Sequence, residues 1–515
     1  MLPYLAGIKE NLSSFHMPEI LLSTLNAKYV HASMGLRCIF ANMGELKETT
    51  KIVEFTIDQA VEEIVETVLK QNVKIIGFGI YIWNIEPTFK VIQILRQLQP
   101  NLKIVLGGPE VSHEKGDQPI CDLADVTIGG EADTAFSNAC QKLLLNEPIE
   151  KFVPSQLPDL KTIKMPYTEY NSEDLKNRII YVEVSRGCPF KCEFCLSSID
   201  EQVRSFPLDE FLNQMKSLLD QGCRIFKFVD RTFNLKASMA EKIMDFFKAN
   251  WQEGVFLHFE MVPDRLPEGI RDRIATFPHG AIQFEIGIQS FTPEVGTLIS
   301  RRMNFEKTKE NFEFIREKTH VHTHADLIIG LPGETLETLA ISFNMLWELG
   351  PDEIQVGILK RLKGTPIIRH SEKFELIFRD DPPFDILQNI HLPFPTMQKL
   401  KRFARYYEIF ANGGRFPKSL ERLVQLNKGL AFEMFWEWTE ELFEKLNRVH
   451  AISFTKQIDE VYQKLLSFGE SEAEAVEVLT NDFCDPISNP KASQRGLPNY
   501  MHVAVAKKMK QLKTS

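Results

Sequence analysis

The chain lacks any long hydrophobic run. Its longest near-continuous apolar stretch, Ile75 to Trp83, falls far short of the roughly 20 residues of a membrane-spanning helix, so no helical span is expected. Residues 1–16 place Lys9 and Glu10 where a secretory signal needs an uninterrupted apolar core. Export is disfavoured, and Met17 is an alternative start. Cysteine is scarce, with eight in 515 residues, which excludes a dense disulfide framework and fits a reducing cytoplasm. Positive charge is in deficit. Lys and Arg total 60 against 70 Asp and Glu, for a net charge of −10, and this argues against a general nucleic-acid coat. There is no internal repeat and no low-complexity tract. The 43% hydrophobic and 25% charged fractions are those of ordinary soluble domains, and the length allows several of them.

Three regions with different periodicity follow one another. From residue 17 to about 150, β-rich runs at 19–25, 51–55, 73–80, 102–108 and 125–130 alternate with helical patterns such as Ile57, Val61, Ile64, Val65, Val68 and Leu69. Continuous apolar strands between amphipathic helices predict a doubly wound α/β domain, whose ligands bind beyond the strand carboxyl ends. Residues 151–177 are rich in proline without sustained period and read as a linker. A second βα series from 178 to 375 has strands near 179–185, 224–229, 256–261, 282–287, 323–329 and 353–358. Helices are expected near 207–220, 236–250, 305–319 and 335–348, which makes a partial (β/α)6 TIM-type barrel. From 376 to 515 the pattern is mostly α-helical, and Phe432, Phe435, Trp436 and Trp438 recur at the spacing of core residues.

Three of the eight cysteines crowd into RGCPFKCEFC, directly after the strand IIYVEVS. Cys188, Cys192 and Cys195 in C-x3-C-x2-C spacing can hold three irons of a cubane and leave the fourth open to an exogenous ligand. Zinc with a missing fourth ligand is the competing reading, but no histidine lies between His113 and His258 to complete it locally. With Phe194 as its aromatic member, the motif resembles the signature of the radical SAM superfamily, and the resemblance runs from about 178 to 360. It implies a 4Fe-4S cluster whose open iron binds S-adenosylmethionine (SAM), and reductive cleavage of SAM to a 5′-deoxyadenosyl radical. It further implies that Phe194 borders the adenine and that Asp230, ending CRIFKFVD, meets the SAM amino group. Glu285, Gln289 and Ser290 of EIGIQS would contact ribose and carboxylate, and Asp326 of HADLIIGLPGE would lie beside the adenine. Arg302, next to Arg301, would pair with the SAM carboxylate.

A doubly wound domain ahead of such a barrel resembles the cobalamin-binding domain of cobalamin-dependent radical SAM enzymes. The matching segments are TLNAKYVH, IYIWN, GGPEVS and GGEAD. They imply that Asn26, Trp83, Gly107, Gly108, Pro109, Gly129, Gly130 and Glu131 contact cobalamin. Small residues at loop tips let a flat corrin approach backbone. A flavodoxin-like or nucleotide-binding domain competes, but the region holds no G-x-G-x-x-G and no P-loop. The D-x-H-x-x-G motif of many methyl-transferring cobalamin domains is absent. Tyr29 stands at the Asp position before His31, and glycine arrives one place late at Gly35.

The resemblance implies methyl transfer to an unactivated carbon or phosphorus, with one SAM methylating the cobalamin and a second supplying the radical. Radical cyclisation or rearrangement of a small molecule is the alternative within the family. A non-catalytic cobalamin- or redox-responsive binding protein is the alternative outside it. A small-molecule or peptide substrate and an electron donor such as flavodoxin or ferredoxin are the expected partners.

Overall fold

The structure, a computed structural model, describes residues 18–114, 118–154, 156–486, 489 and 496–512. Met17 lies outside the described residues. Strands β1 (Ile20–Asn26), β2 (Thr50–Thr56), β3 (Ile75–Gly79), β4 (Lys103–Gly107), β5 (Val126–Gly129) and β6 (Phe152–Pro154) form one sheet in the order β2-β1-β3-β4-β5-β6. All pairs are parallel. Every residue of β1 is buried, as expected for a strand covered on both faces. Helices Val61–Gln71 and Ile85–Leu98 pack through Ile64, Val68, Val91 and Leu95 on one face, while Leu36 and Phe136 from helices Met34–Ala41 and Ala135–Leu144 pack on the other. The order reverses between β1 and β3, which opens a crevice at their carboxyl ends.

The span 151–177 is not the linker its prolines suggested. It opens with the sheet's sixth strand, paired Thr127 to Phe152, and the Phe152 ring lies so close over Gly129 that a Cβ there would meet it at 2.4 Å. Leu160, Met165, Tyr167 and Tyr170 are buried, and helix Ser172–Asn177 starts with a capping box between Asn171 and Asp174. Isolated apolar anchors separated by turns bury well yet leave no period to read.

The second sheet comprises β7 (Ile180–Val182), β10 (Ile225–Phe228), β11 (Phe256–Met261), β12 (Ile282–Gln289), β13 (His322–Ile329) and β14 (Glu353–Ile358), in the order β14-β13-β12-β11-β10-β7. Between β7 and β10 a two-residue ladder joins β8 (Ser185–Arg186) to β9 (Arg204–Ser205). Burial alternates along β12 and β13. Phe284, Ile286, Ala325 and Leu327 enter the core, and Glu285, Gly287, His324 and Asp326 take the opposite face by the two-residue period of a strand. Helices Leu208–Asp220, Ala237–Ala249, Phe305–Lys318 and Leu336–Leu349 cover this sheet.

Beyond it, helices Phe394–Tyr407, Pro417–Leu426, Ala431–Leu446, Phe454–Ser467, Glu472–Phe483 and His502–Leu512 form the carboxyl-terminal region. Phe403, Tyr407 and Phe432 meet Phe343 of the barrel helix at ring-centroid distances of 5.3, 5.1 and 5.8 Å. The two regions therefore share one continuous core. Among the described residues no helix is long and apolar enough to cross a membrane.

Candidate functional site

The three clustered cysteines ride on a loop held by its own backbone. Gly187 adopts φ +89°, and a Cβ there would fall 2.1 Å from the Gln202 carbonyl oxygen, so only glycine fits the turn. The Cys188 N–H donates to Asp200 O at 2.9 Å, and the Cys195 N–H donates to Cys192 O at 3.1 Å. Cys188, Cys192, Phe194 and Cys195 line one wall of a cavity of about 290 Å³ at the carboxyl ends of the second sheet. Burial raises the Cys188 thiol above its usual range, as do the neighbouring sulfurs of Cys195 and Cys192. Among the described residues no three His, Cys, Asp or Glu converge on the position of a single metal ion. Three thiols on one loop that line one cavity suit ligands to separate irons of a cubane.

The facing wall carries Glu285, Gly287 and Gln289 of β12, with Asp326, Arg301 and Arg302. The β12–β13 register shifts between Gly287 and Gln289, and Gln289 takes a positive φ of 74°. Its side chain lines the cavity on the same face as Glu285 and Gly287. Gln289 Oε1 and Arg301 Nε are buried without a hydrogen-bond partner, a condition that costs free energy unless a ligand meets them. Arg301 also donates to Gly287 O and stands 3.4 Å from Cys192 Sγ. The hydrogen bond from His258 at 2.8 Å and the ammonium of Lys227 at 3.3 Å hold the Glu285 carboxyl at about 2. Glu285 therefore stays ionised. A carboxylate, a guanidinium and an orphaned amide oxygen beside the thiols fit the ammonium, carboxylate and ribose groups of SAM.

Two expected SAM contacts lie elsewhere. Asp230 is buried and accepts from Ser185 Oγ at 2.6 Å and Val184 N at 3.0 Å, so it latches the end of β7 rather than facing the cavity. Burial raises its carboxyl to about 7. Ser290 donates to the buried Glu334 at 2.7 Å, on the face of the strand opposite Glu285, Gly287 and Gln289. Arg231 takes the cavity position at the β10 end, paired to Glu260 at 2.9 Å. Neither residue carried a sequence signal beyond its place at a strand end.

A second cavity, of about 240 Å³, lies in the first sheet's domain. Gly107, Gly108, Gly130 and Glu131 line it as expected, together with Gly35, Gly77, Gly79, Tyr81 and Phe136. A Cβ at Gly107 would find only open space and Ile128 O at 3.8 Å, whereas one at Gly108, φ +106°, would strike Ile80 O at 2.4 Å. This glycine-floored slot keeps room at Gly107 that a side chain would fill, which suits a flat organic group. Pro109 and Gly129 do not line it, since Gly129 is covered by Phe152. Asn26 is buried against Glu54 at 2.9 Å. Trp83 stands outside, 45% exposed and stacked 4.5 Å from Tyr81. His31 is engaged with Tyr181 Oη at 2.7 Å and does not reach the slot. Glu183 and Arg186 of the second sheet's segment complete its lining. Arg186 binds Glu131, Asp133 and Glu183 at 2.7, 2.8 and 2.7 Å.

Comparisons with known proteins find similarity to families along three stretches of the chain. Residues 21–139 match the B12 binding domain family and residues 182–346 match the radical SAM superfamily, while residues 372–514 match a family described as a protein of unknown function, DUF4080. An uncharacterized methyltransferase from Pyrococcus horikoshii is 22% identical over 63% of this chain and 75% of its own length. TokK of Streptomyces tokunonensis, a cobalamin-dependent radical SAM methyltransferase, is 21% identical over 74% of this chain and 63% of its own length. Among solved structures, OxsB with aqua-cobalamin and SAM bound superposes with a TM-score of 0.59 at 13% identity, covering 96% of this chain and 80% of that one. TsrM from Kitasatospora setae gives 0.57 at 17%, covering 69% and 76%. At these identities the structural likeness is one of fold.

Proposed function

The chain joins a B12-binding domain to a radical SAM domain, and from that premise we propose that it is a cobalamin-dependent radical SAM methyltransferase acting on an unactivated carbon or phosphorus of a small molecule or peptide. The observation that carries this reading is the continuity of the two sites. Glu183 and Arg186 line the glycine-floored slot, and Cys188 to Cys195, on the same loop, line the other cavity.

Cys188, Cys192 and Cys195 would hold the 4Fe-4S cluster, and the slot by Gly107, Gly108 and Gly130 would receive the nucleotide tail of cobalamin. When bound, the cluster supplies the electron that cleaves SAM and the cobalamin carries the methyl group. The protein's task is to bind, orient and exclude water. Glu285, locked as a carboxylate by His258 and Lys227, is an acceptor for ammonium or ribose hydroxyl donors. Arg301 and Arg302, which line the cavity, would meet the SAM carboxylate, and Phe194 would meet the adenine face. Asp326, whose carboxyl burial raises, borders the same cavity and adds an acceptor. An external donor of flavodoxin or ferredoxin type would reduce the cluster.

Anaerobic reconstitution with iron, sulfide and hydroxocobalamin tests the reading. Reduced protein with SAM should form 5′-deoxyadenosine and S-adenosylhomocysteine. Formation of neither would leave only a binding protein, and 5′-deoxyadenosine alone would favour rearrangement over methyl transfer.

A further inference from the structure

A segment that no motif marks ties the two sites together. It leaves β14 after Ile358 and runs through 360–370. At its start Arg361 pairs with Glu114 at 2.6 Å and Lys363 with the buried Glu110 at 3.2 Å. The Gly364 N–H donates to Glu114 at 3.1 Å. Gly364 has φ +84° and lies flat on the His113 ring, where a Cβ would come within 2.5 Å. Glu110 directly follows Gly108 and Pro109, so this end of the segment grips the loop that closes the glycine-floored slot.

The other end grips the cysteine loop. Ile367 N–H donates to Glu193 O at 2.9 Å, and both Arg369 and His370 bind the Glu193 carboxylate, His370 at 2.7 Å. Glu193 sits between Cys192 and Phe194, its side chain 2% exposed. It also accepts from Ser300 Oγ at 2.9 Å, next to Arg301. A surface ion pair contributes little, but a buried carboxylate with three charged or hydroxyl partners holds its geometry.

We propose that residues 360–370 form a strap that sets the separation between the cobalamin site and the iron–sulfur cluster, with Lys363, Gly364, Glu193 and His370 as positioning residues. The proposal rests on the functional reading above. Rigid spacing matters because the reacting groups must meet across a domain boundary, where small displacements are costly in rate.

The test is electron paramagnetic resonance of the full chain loaded with both cofactors, reading how the reduced cluster speeds relaxation of the cob(II)alamin signal. That enhancement depends on distance and is unmoved by a loss of stability alone. Lys363→Glu and Gly364→Val should retain iron and cobalamin yet lose the enhancement, and Glu193→Gln should lose part of it. The Glu110→Lys, Lys363→Glu double variant should regain it, which keeps the test valid where a single variant folds poorly. Unchanged enhancement in correctly loaded Lys363→Glu and Gly364→Val would overturn the strap and leave the functional reading intact. Wild-type protein that takes up no cobalamin would overturn both.

Discussion

The two cavities are built by opposite means. The cavity in the second sheet is made of reactive and charged side chains, with three thiols facing Glu285, Gln289 and Arg301, and the buried Gln289 Oε1, Arg301 Nε and Asp326 Oδ1 there have no hydrogen-bond partner. The slot in the first sheet is lined by backbone at Gly77, Gly79, Gly107 and Gly108, and at Gly107 the missing Cβ leaves open room. Small charged cofactors are recognised by placed donors and acceptors. A large flat one with a tail is recognised by room and backbone. Substitutions that delete chemistry should therefore damage one site, and substitutions that add volume should damage the other.

The largest effect is expected from the Cys188→Ala, Cys192→Ala, Cys195→Ala triple variant. It should lose the about four irons of a cubane held by three thiolates and all 5′-deoxyadenosine formation, measured by iron assay and chromatography, while hydroxocobalamin still binds. Replacing Cys121 or Cys140, buried in the other domain, should leave iron content unchanged. Next comes Gly107→Val, which adds volume without striking backbone. Cobalamin affinity should fall about tenfold to a hundredfold, or ~1.4–2.8 kcal/mol, in a titration followed by absorbance, with iron content unaltered. Equal loss of both cofactors would erase the contrast between the cavities.

Within the second cavity, Gln289→Ala should weaken SAM binding by about tenfold, the value of a hydrogen bond to a charged or buried partner. Asp230→Ala should leave SAM affinity within about threefold and instead lower stability by ~1–3 kcal/mol, since Val184 N–H and Ser185 Oγ lose their buried acceptor. Calorimetry on both variants separates the roles, and a reversed pattern would put Asp230 back among the ligand contacts.

The smallest effect is one of pH. Burial raises Glu334 to about 8 and Asp230 to about 7. Carboxyls whose folded values lie above their unfolded ones favour the fold below the unfolded value and lose that contribution as pH rises through the folded value. Thermal stability should therefore decline between about pH 4 and 8 from these groups. Glu334→Gln should flatten that decline, gaining relative to wild type at pH 8 and not at pH 5. Glu285 runs the other way. Held at about 2, it supports the fold above its ordinary range and loses that support only as pH falls toward 2.

Much of this was readable along the chain. The parallel strands are runs of buried β-branched and apolar residues, the helices between them keep a clear period, and the cysteine loop is local, so neighbours in sequence are neighbours at the site. Asp230 and Ser290 were misplaced for one reason: a strand end offers two faces, and the face that reaches the cavity depends on register. The alternation that turns Glu285, Gly287 and Gln289 toward the cavity turns Ser290 to the other side, against Glu334. Asn26, Pro109, Gly129 and Trp83 lay on the expected loops, but loop membership does not say which atoms line a slot. The span 151–177 was missed because it packs through single anchors.

By itself the sequence determined the order of the domains, the course of the strands and the three thiols gathered on one loop, because each depends on residues within a few positions of one another. The tertiary structure alone decided which polar groups face a ligand and which latch the fold. It also brought Glu114 to Gly364 across 250 positions and Glu193 to His370 across 177. Such contacts arise from how two sheets dock, and a pair of charges so distant in the chain carries no mark of its partner until the backbone between them has folded.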